Sequence, residues 1–183
     1  GLSQDVETDD NVFRQTTARL PWLLIGMLGG IGNSMILGNF DSTFAAHPEM
    51  ALYIPLIGGT GGNVGTQSSA LVVQGLANSS LNAENTFKQV LKESVVALIN
   101  ATIISMLVYI YNFIRFGATA TVSYSVSISL FAVVMFASIF GTLVPMTLEK
   151  LKIDPAIATG PFISITNDII GMLMYMGITV LLS

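Results

Sequence analysis

A single carboxylate, that of Asp168, lies deep inside a long apolar segment of this sequence. It directly follows Thr166 and Asn167, and no lysine or arginine occurs in the same segment. A charge at membrane depth costs at least about 2.5–3.5 kcal/mol on insertion scales, so such groups face a partner, a cavity or an ion. The chemical roles that fit are a cation site and a proton relay. The structural alternative is a protonated acid that donates a hydrogen bond to a neighbouring helix.

A second polar stretch, residues 55–67, lies inside the apolar segment 50–77 and contains five glycines. Each glycine weakens a helix by about 1 kcal/mol, so we expect a helix that is opened at these points. Opened backbone presents carbonyl oxygens, which are ligands that hard cations accept. The carbonyls expected to face inward are those of Gly58, Gly59, Gly61 and Gly62. Close helix packing is the structural alternative, but amides at membrane depth, such as that of Asn63, favour an ion site.

The two stretches share a pattern in which a proline precedes an asparagine, at Pro55 and Asn63 and again at Pro161 and Asn167. Paired interrupted helices mark the binding site of many transporters, so we expect the second and fifth spans to lie side by side. Neutral oxygen donors there would be Asn63, Asn167, Thr166 and the four glycine carbonyls. One carboxylate per chain is few for a divalent ion, and a two-fold dimer would supply two. A wide ring with few charges suits hydrated Mg2+ better than Ca2+.

The elements that must position these groups follow from composition. The chain has 183 residues, of which 52% are hydrophobic and 10% charged, whereas soluble domains carry about 25% charged residues. We therefore expect an all-α membrane protein with five transmembrane helices, at about residues 20–40, 50–77, 83–113, 124–148 and 155–182. Residues 1–18, which include Asp5, are expected to be a polar lead-in, and residues 19–183 a transmembrane domain. Pro21 and Pro155 are each expected to stand in the first helical turn of a span.

Several classes of function are excluded by the residue types present. Only seven lysines and arginines occur, and they are scattered, so no basic surface for nucleic acid forms. The chain lacks cysteine and has one histidine, His47, so neither a thiol nucleophile nor a histidine metal cluster is available. No lysine follows the glycines of residues 55–67, which rules out a phosphate-binding loop. We therefore expect a protein that is not an enzyme.

Orientation follows from the basic residues. In a five-span arrangement all but Arg115 fall on one side of the membrane, so the N-terminus is expected to be cytoplasmic and the C-terminus outside. The expected location is the plasma membrane, which is the inner membrane of a bacterium. Glu93 follows Lys92 near the start of the third span, and we expect it at the membrane interface.

Several separated motifs resemble one family in the order in which they occur. These are residues 55–67, residues 19–22 (Arg-Leu-Pro-Trp) and residues 154–156 (Asp-Pro-Ala) followed by Asp168. Together they resemble the transmembrane domain of the MgtE family of Mg2+ channels and its eukaryotic solute-carrier relatives. The resemblance implies a homodimer in the lipid bilayer with its pore at the dimer interface. It also implies that Asp168 holds hydrated Mg2+ while Asn63 and glycine carbonyls of the second span lie near the pore.

Typical bacterial members of that family carry cytoplasmic domains ahead of the membrane part, so residues 1–18 are expected to be a remnant of the connecting helix. The expected function is passage of hydrated divalent cations into the cytoplasm, driven by membrane potential. Mg2+ is the expected ion, with Mn2+, Co2+ and Ca2+ as further candidates. The alternative is an exchanger that couples Mg2+ to Na+ or H+.

Overall fold

The computed structural model describes residues 7–117, 120–158 and 160–182, and all regular structure within them is helical. The α-helices are α1 (Val12–Gly38), α2 (Asp41–Ala46), α3 (Ile54–Ala77), α4 (Thr86–Phe116), α5 (Thr121–Lys150) and α6 (Pro161–Leu182). Short 3-10 helices precede α3, α4 and α6, at Pro48–Tyr53, Ala83–Asn85 and Pro155–Ala158. The all-α prediction is confirmed. Asp5 and the rest of residues 1–6, residues 118–119 and residue 183 lie outside the described residues.

Four of the described helices, α1, α4, α5 and α6, are long and apolar enough to cross a membrane. Their outward sides carry exposed apolar residues such as Leu28 of α1 and Leu107 of α4, which suit contact with lipid. The protein is therefore a multi-pass membrane protein. Although α3 has 24 residues, its glycines and polar side chains leave it without a stretch as apolar as those of the other four long helices. A fifth span through α3 stays a prediction.

Helix α5 forms the centre of the bundle. Its residues Val126, Leu130, Val133 and Ala137 are fully buried and recur at helical spacing. Helices α3, α4 and α6 pack against α5, and α1 packs against α6. At the last contact a side chain on Gly29 of α1 would overlap Ile165 of α6. Glycine there lets the outermost helix approach the bundle closely.

Buried tyrosines tie the segment before α3 to the rest of the bundle. Tyr53 donates a hydrogen bond to Oδ1 of Asn112 on α4. Tyr175 of α6 donates to the carbonyl oxygen of Met50 at 2.7 Å. Because both bonds are buried, breaking either one would leave polar groups without partners. These two bonds fix the position at which α3 begins.

The first helix starts earlier than the sequence predicts. Its N-cap is Asn11, whose Oδ1 accepts a hydrogen bond from the backbone N–H of Arg14 at 2.8 Å. Asparagine is a favoured N-cap because it satisfies a free donor of the first turn. The expectation that Pro21 stands in the first turn is wrong, since Pro21 lies inside α1. The helix also runs without a break past residue 18, where the lead-in was expected to end.

The last helix starts later than the sequence predicts. The carboxylate of Asp154 accepts a hydrogen bond from the N–H of Ala156 at 2.9 Å, and the turn that follows is a short 3-10 helix. Gly160 has a φ of 72°, a left-handed conformation that does not fit an α-helix. The α-helix begins only at Pro161. The predicted helix start at Pro155 is therefore wrong, and Pro161 opens a helix instead of interrupting one.

The expectation that glycines open the second long segment is also wrong. Helix α3 is continuous from Ile54 to Ala77. Carbonyl oxygens inside a continuous helix accept the N–H four residues later, so those of Gly58, Gly59, Gly61 and Gly62 are engaged in the helix. Tertiary packing against α5 and α6 outweighs the low helix propensity of glycine here.

Candidate functional site

The predicted second and fifth spans do lie side by side, and a polar cavity of about 380 Å3 opens where α3 and α6 meet α1. Three glycines, Gly58, Gly59 and Gly62, are part of its lining on α3. Amides, hydroxyls and one carboxylate provide the polar lining. The lining residues that carry oxygen on a side chain are Asn33, Asn63, Thr66, Gln67, Ser164 and Asp168. The cavity can therefore offer hard oxygen ligands from three helices to one guest.

The carboxylate of Asp168 lies against α3. A Cβ built on Gly58 would stand 3.6 Å from its Oδ1, and one built on Gly62 would stand 3.4 Å from the same atom. Gly58 and Gly62 are four residues apart, so they share one face of α3. The carboxylate of Asp168 has no hydrogen bond or ion pair with any other described residue. A half-buried acid without a partner faces a cavity that could hold its counter-ion.

The level of Asp168 in the bundle follows from its neighbours. Asp168 is only seven residues after Pro161, which begins α6. Its neighbour Asn167 nevertheless lies near Gly61, which in turn lies beside Val133 of α5. Val133 is twelve residues after Thr121 and seventeen before Lys150, the ends of α5. The start of α6 thus lies inside the bundle, and Asp168 lies near the level of the middle of α5.

The neighbouring glycine row of α3 has a different environment. A Cβ on Gly61 would stand 2.9 Å from Cγ1 of Val133, and one on Gly65 would overlap the amide of Asn167. Gly141 of α5 crosses α3 at the same place, where a side chain would meet the backbone of Gly65. Gly61 and Gly65 are buried contact points between helices. They do not face the cavity.

Most of the predicted site residues are brought together at this cavity. Those that line it are Asp168, Asn63, Gly58, Gly59 and Gly62. The space beside Gly59 is open, with no atom within 4 Å of an added Cβ. The glycines therefore contribute room and not carbonyl ligands.

Three predicted site residues do not line the cavity, namely Gly61, Asn167 and Thr166. Asn167 is 1% exposed, and its amide occupies the notch at Gly65 without a hydrogen-bond partner among the described residues. The hydroxyl of Thr166 donates to the carbonyl of Phe162 at 2.8 Å, within its own helix. Neighbouring positions on a helix point about 100° apart, which separates these side chains from Asp168.

Two cavity residues, Asn33 and Ser164, were missed by the sequence analysis. Ser164 stands four residues before Asp168, a spacing that places both on one face of α6. Asn33 is an amide inside a glycine-rich span, and its buried Oδ1 has no partner among the described residues. Both signals were present in the sequence.

A second carboxylate is held inside the bundle by α4. Glu93 accepts hydrogen bonds from Ser68 of α3 at 2.7 Å and from Ser138 of α5. The two hydroxyl oxygens are 3.0 Å apart. The interfacial position that the sequence predicts for Glu93 stays a prediction, and its partner Ser138 is buried twelve residues before the end of α5. We call this group the Glu93 cluster.

Comparison with known proteins supports a transport role for the fold. The family model MgtE, described as a divalent cation transporter, matches residues 54–178. Magnesium transporter MgtE of Bacillus subtilis (strain 168) is 33% identical over 175 residues, which cover 96% of this chain and 39% of that protein. Magnesium transporter MgtE of Thermus thermophilus is 33% identical over 165 residues, covering 90% of this chain and 36% of that protein.

A third relative, Magnesium transporter MgtE of Enterococcus faecalis, is 29% identical over 172 residues, covering 94% of this chain and 38% of that protein. The chain thus spans less than two fifths of the length of each of these relatives. The family model covers more than half of the chain and includes α3, Asp168 and the Glu93 cluster. These matches confirm the resemblance found in the motifs, and the chain belongs to the MgtE family of divalent cation transporters, not to a family of enzymes.

Proposed function

We propose that the protein transports Mg2+ across the membrane and that the ion binds in the cavity at Asp168. One observation carries the proposal: the carboxylate of Asp168 faces a polar cavity and has no partner among the described residues. The name of the three relatives, magnesium transporter, supports the choice of ion. Mn2+, Co2+ and Ca2+ are further candidate ions, because they also accept oxygen ligands.

The size and lining of the cavity favour an ion that keeps its water. A complete shell of six waters occupies roughly 180 Å3, at about 30 Å3 for each water, and the cavity holds about 380 Å3. Mg2+ dehydrates reluctantly and is usually held by one or two carboxylates while several waters stay bound. The amide of Asn63 and the hydroxyl of Ser164 would then accept or donate hydrogen bonds to those waters, while Asp168 supplies the charge.

The glycine row of Gly58 and Gly62 explains how this width is achieved. A Cβ at either position would stand within contact distance of the Asp168 carboxylate. A Cβ at Gly62 would also stand 3.1 Å from the hydroxyl oxygen of Ser164. We propose that these glycines keep the space beside the carboxylate free for the hydrated ion.

The arrangement of the whole transporter is part of the same proposal. We propose that α3 is a fifth span, because this 24-residue helix packs against both α5 and α6. Its exposed polar residues Asn63 and Gln67 suit a partner surface better than lipid. A second copy of the chain, related by a two-fold axis, would cover them and place two cavities face to face. The pore would then lie at the dimer interface, in the inner membrane, with the N-terminus cytoplasmic.

The test is Mg2+ flux in liposomes at clamped potential, without a Na+ or pH gradient. The Asp168→Asn variant keeps the shape of the side chain and loses its charge, so we expect flux to fall to background while the variant still assembles like wild type. Asp41→Asn, at an exposed acid of α2, is the matched control and should conduct normally. Wild-type flux in Asp168→Asn would contradict the proposal.

The same experiment separates a channel from an exchanger. Sustained wild-type current under these conditions supports passive passage driven by membrane potential. Flux that appears only when a Na+ or H+ gradient is added supports the alternative, a Na+- or H+-coupled Mg2+ exchanger.

A further inference from the structure

We infer that the Glu93 cluster is a second divalent-cation site in each chain, separate from Asp168. The inference rests on the proposed function, since it places a second binding position for the same class of ion. Its structural basis is a second polar cavity, of about 500 Å3, between α3, α4 and α5. Glu93 and Ser138 line this cavity from α4 and α5, and Ser68 lines it from α3.

The donor set is one that hard cations prefer. The carboxylate of Glu93 and the hydroxyls of Ser68 and Ser138 lie within hydrogen-bond distance of one another. Amide oxygens are available around them from Gln67, Gln89 and Asn100, which line the same cavity. Carboxylate, hydroxyl, amide and water oxygens are the ligands of Mg2+ and Mn2+.

The charge balance of the cavity also favours a cation. Glu93 forms no ion pair with any described lysine or arginine. Two serine hydroxyls donate hydrogen bonds to its carboxylate, and neither carries a positive charge. Lys92 lines the same cavity but is exposed at its rim. Its positive charge would weaken cation binding without removing it, because exposed charges are screened by water and salt.

The two cavities follow one another along the bundle. Ser138, in the Glu93 cluster, is five residues beyond Val133 on α5, a rise of about 7.5 Å toward the C-terminal end. Gln67 of α3 lines both cavities, so its side chain separates them. An ion that leaves Asp168 toward the C-terminal end of α5 would therefore meet the Glu93 cluster within the same subunit.

The experiment measures Mn2+ binding to the full chain in lipid nanodiscs by electron paramagnetic resonance, with Mg2+ as competitor. All variants carry Asp168→Asn, which removes the first site. We expect this background to retain about one Mn2+ per chain, bound at the Glu93 cluster. Adding Glu93→Gln should weaken that binding by at least about tenfold, because affinity follows the number of charged ligands. Adding Lys92→Gln should tighten it several-fold.

The opposite signs of the two effects distinguish a cation site from a structural hydrogen-bond cluster. Glu84→Gln, at an exposed glutamate of the 3-10 helix Ala83–Asn85, is the matched control and should change nothing. If Glu93→Gln fails to fold, Mn2+ binding by the Lys92→Gln variant still tests the inference. The inference is overturned if the Asp168→Asn background binds no Mn2+ or if Glu93→Gln or Lys92→Gln binds like the control. Failure of the proposed function would be seen separately, as normal flux in Asp168→Asn.

Discussion

The two glycine rows of α3 use the same residue type for opposite purposes. Gly58 and Gly62 leave open space beside Asp168, whereas Gly61 and Gly65 remove space so that α5 and α6 can approach. Gly61 and Gly62 are adjacent in sequence, and the two rows differ in which way they face. Glycine content in a membrane helix therefore does not by itself indicate an ion path, since the neighbours of each glycine decide its role.

The comparison also explains why the helix stays intact. If the glycines acted through opened carbonyls, both rows would be expected to disturb α3, but the helix is continuous. The packed row, Gly61 and Gly65, holds α3 close to α5. The open row, Gly58 and Gly62, leaves the cavity free beside the carboxylate of Asp168. The following substitutions test this division, from the largest expected effect to the smallest.

The largest effect is expected where α3 and α5 cross. In Gly141→Val the new side chain would meet the backbone of Gly65, which cannot rotate away. Overpacking usually costs about 1–3 kcal/mol, and contact with backbone should place this variant at the upper end or beyond. We expect loss of folded protein, measured as the yield of monodisperse material after extraction. Normal yield would show that the crossing tolerates more space than the geometry allows.

A smaller and more specific effect is expected on the open row. Gly62→Val would place methyl groups beside the side chains of Ser164 and Asp168, and the nearest backbone atom, Cα of Ser164, is 4.0 Å from the Cβ position. We expect normal yield with Mg2+ flux reduced on the order of tenfold, because a lining residue has narrowed the path. Gly177→Val is the matched control, since no atom lies within 4 Å of a Cβ at Gly177. Equal flux in the two variants, at equal protein amount, would indicate that Gly62 acts only in helix packing.

The smallest effect is expected from an added competitor. If Asp168 holds the ion through its water shell, cobalt hexammine should compete, because its ammines do not exchange and its size resembles hydrated Mg2+. We expect block of flux in wild type and weaker block in Asp168→Glu, whose longer side chain shortens the gap to the ion. Indifference of the wild type to cobalt hexammine would indicate direct coordination, which for Mg2+ occurs at about 2.0–2.1 Å.

Sequence reasoning identified Asp168 and the α3 stretch because charge and glycine are rare in apolar segments and stand out there. It could not assign faces, which depend on how helices pack. Asn167 and Asp168 are adjacent in sequence, yet one lies in a packed notch and the other in the cavity. For the same reason the sequence could not show the contacts of Glu93, since its serine partners come from α3 and α5, far away in sequence.

Helix boundaries were predicted poorly for a different physical reason. The sequence predicts Pro21 and Pro155 as first-turn residues because proline fits there, but proline is also accommodated inside long membrane helices, as at Pro21. The cap of α1 is decided by Asn11, and the start of α6 by the left-handed conformation of Gly160. Neither feature can be distinguished from sequence alone, because asparagine and glycine also occur in many other turns.

The modest apolar content of α3 has a consequence for how the protein is made. The translocation machinery releases a segment into lipid according to its hydrophobicity, and each charged or strongly polar residue opposes that step. Helix α3 is synthesised before α5 and α6, which supply the packed surface for Gly61 and Gly65. On the proposal that α3 spans the membrane, its final position therefore depends on helices that do not yet exist when it leaves the ribosome.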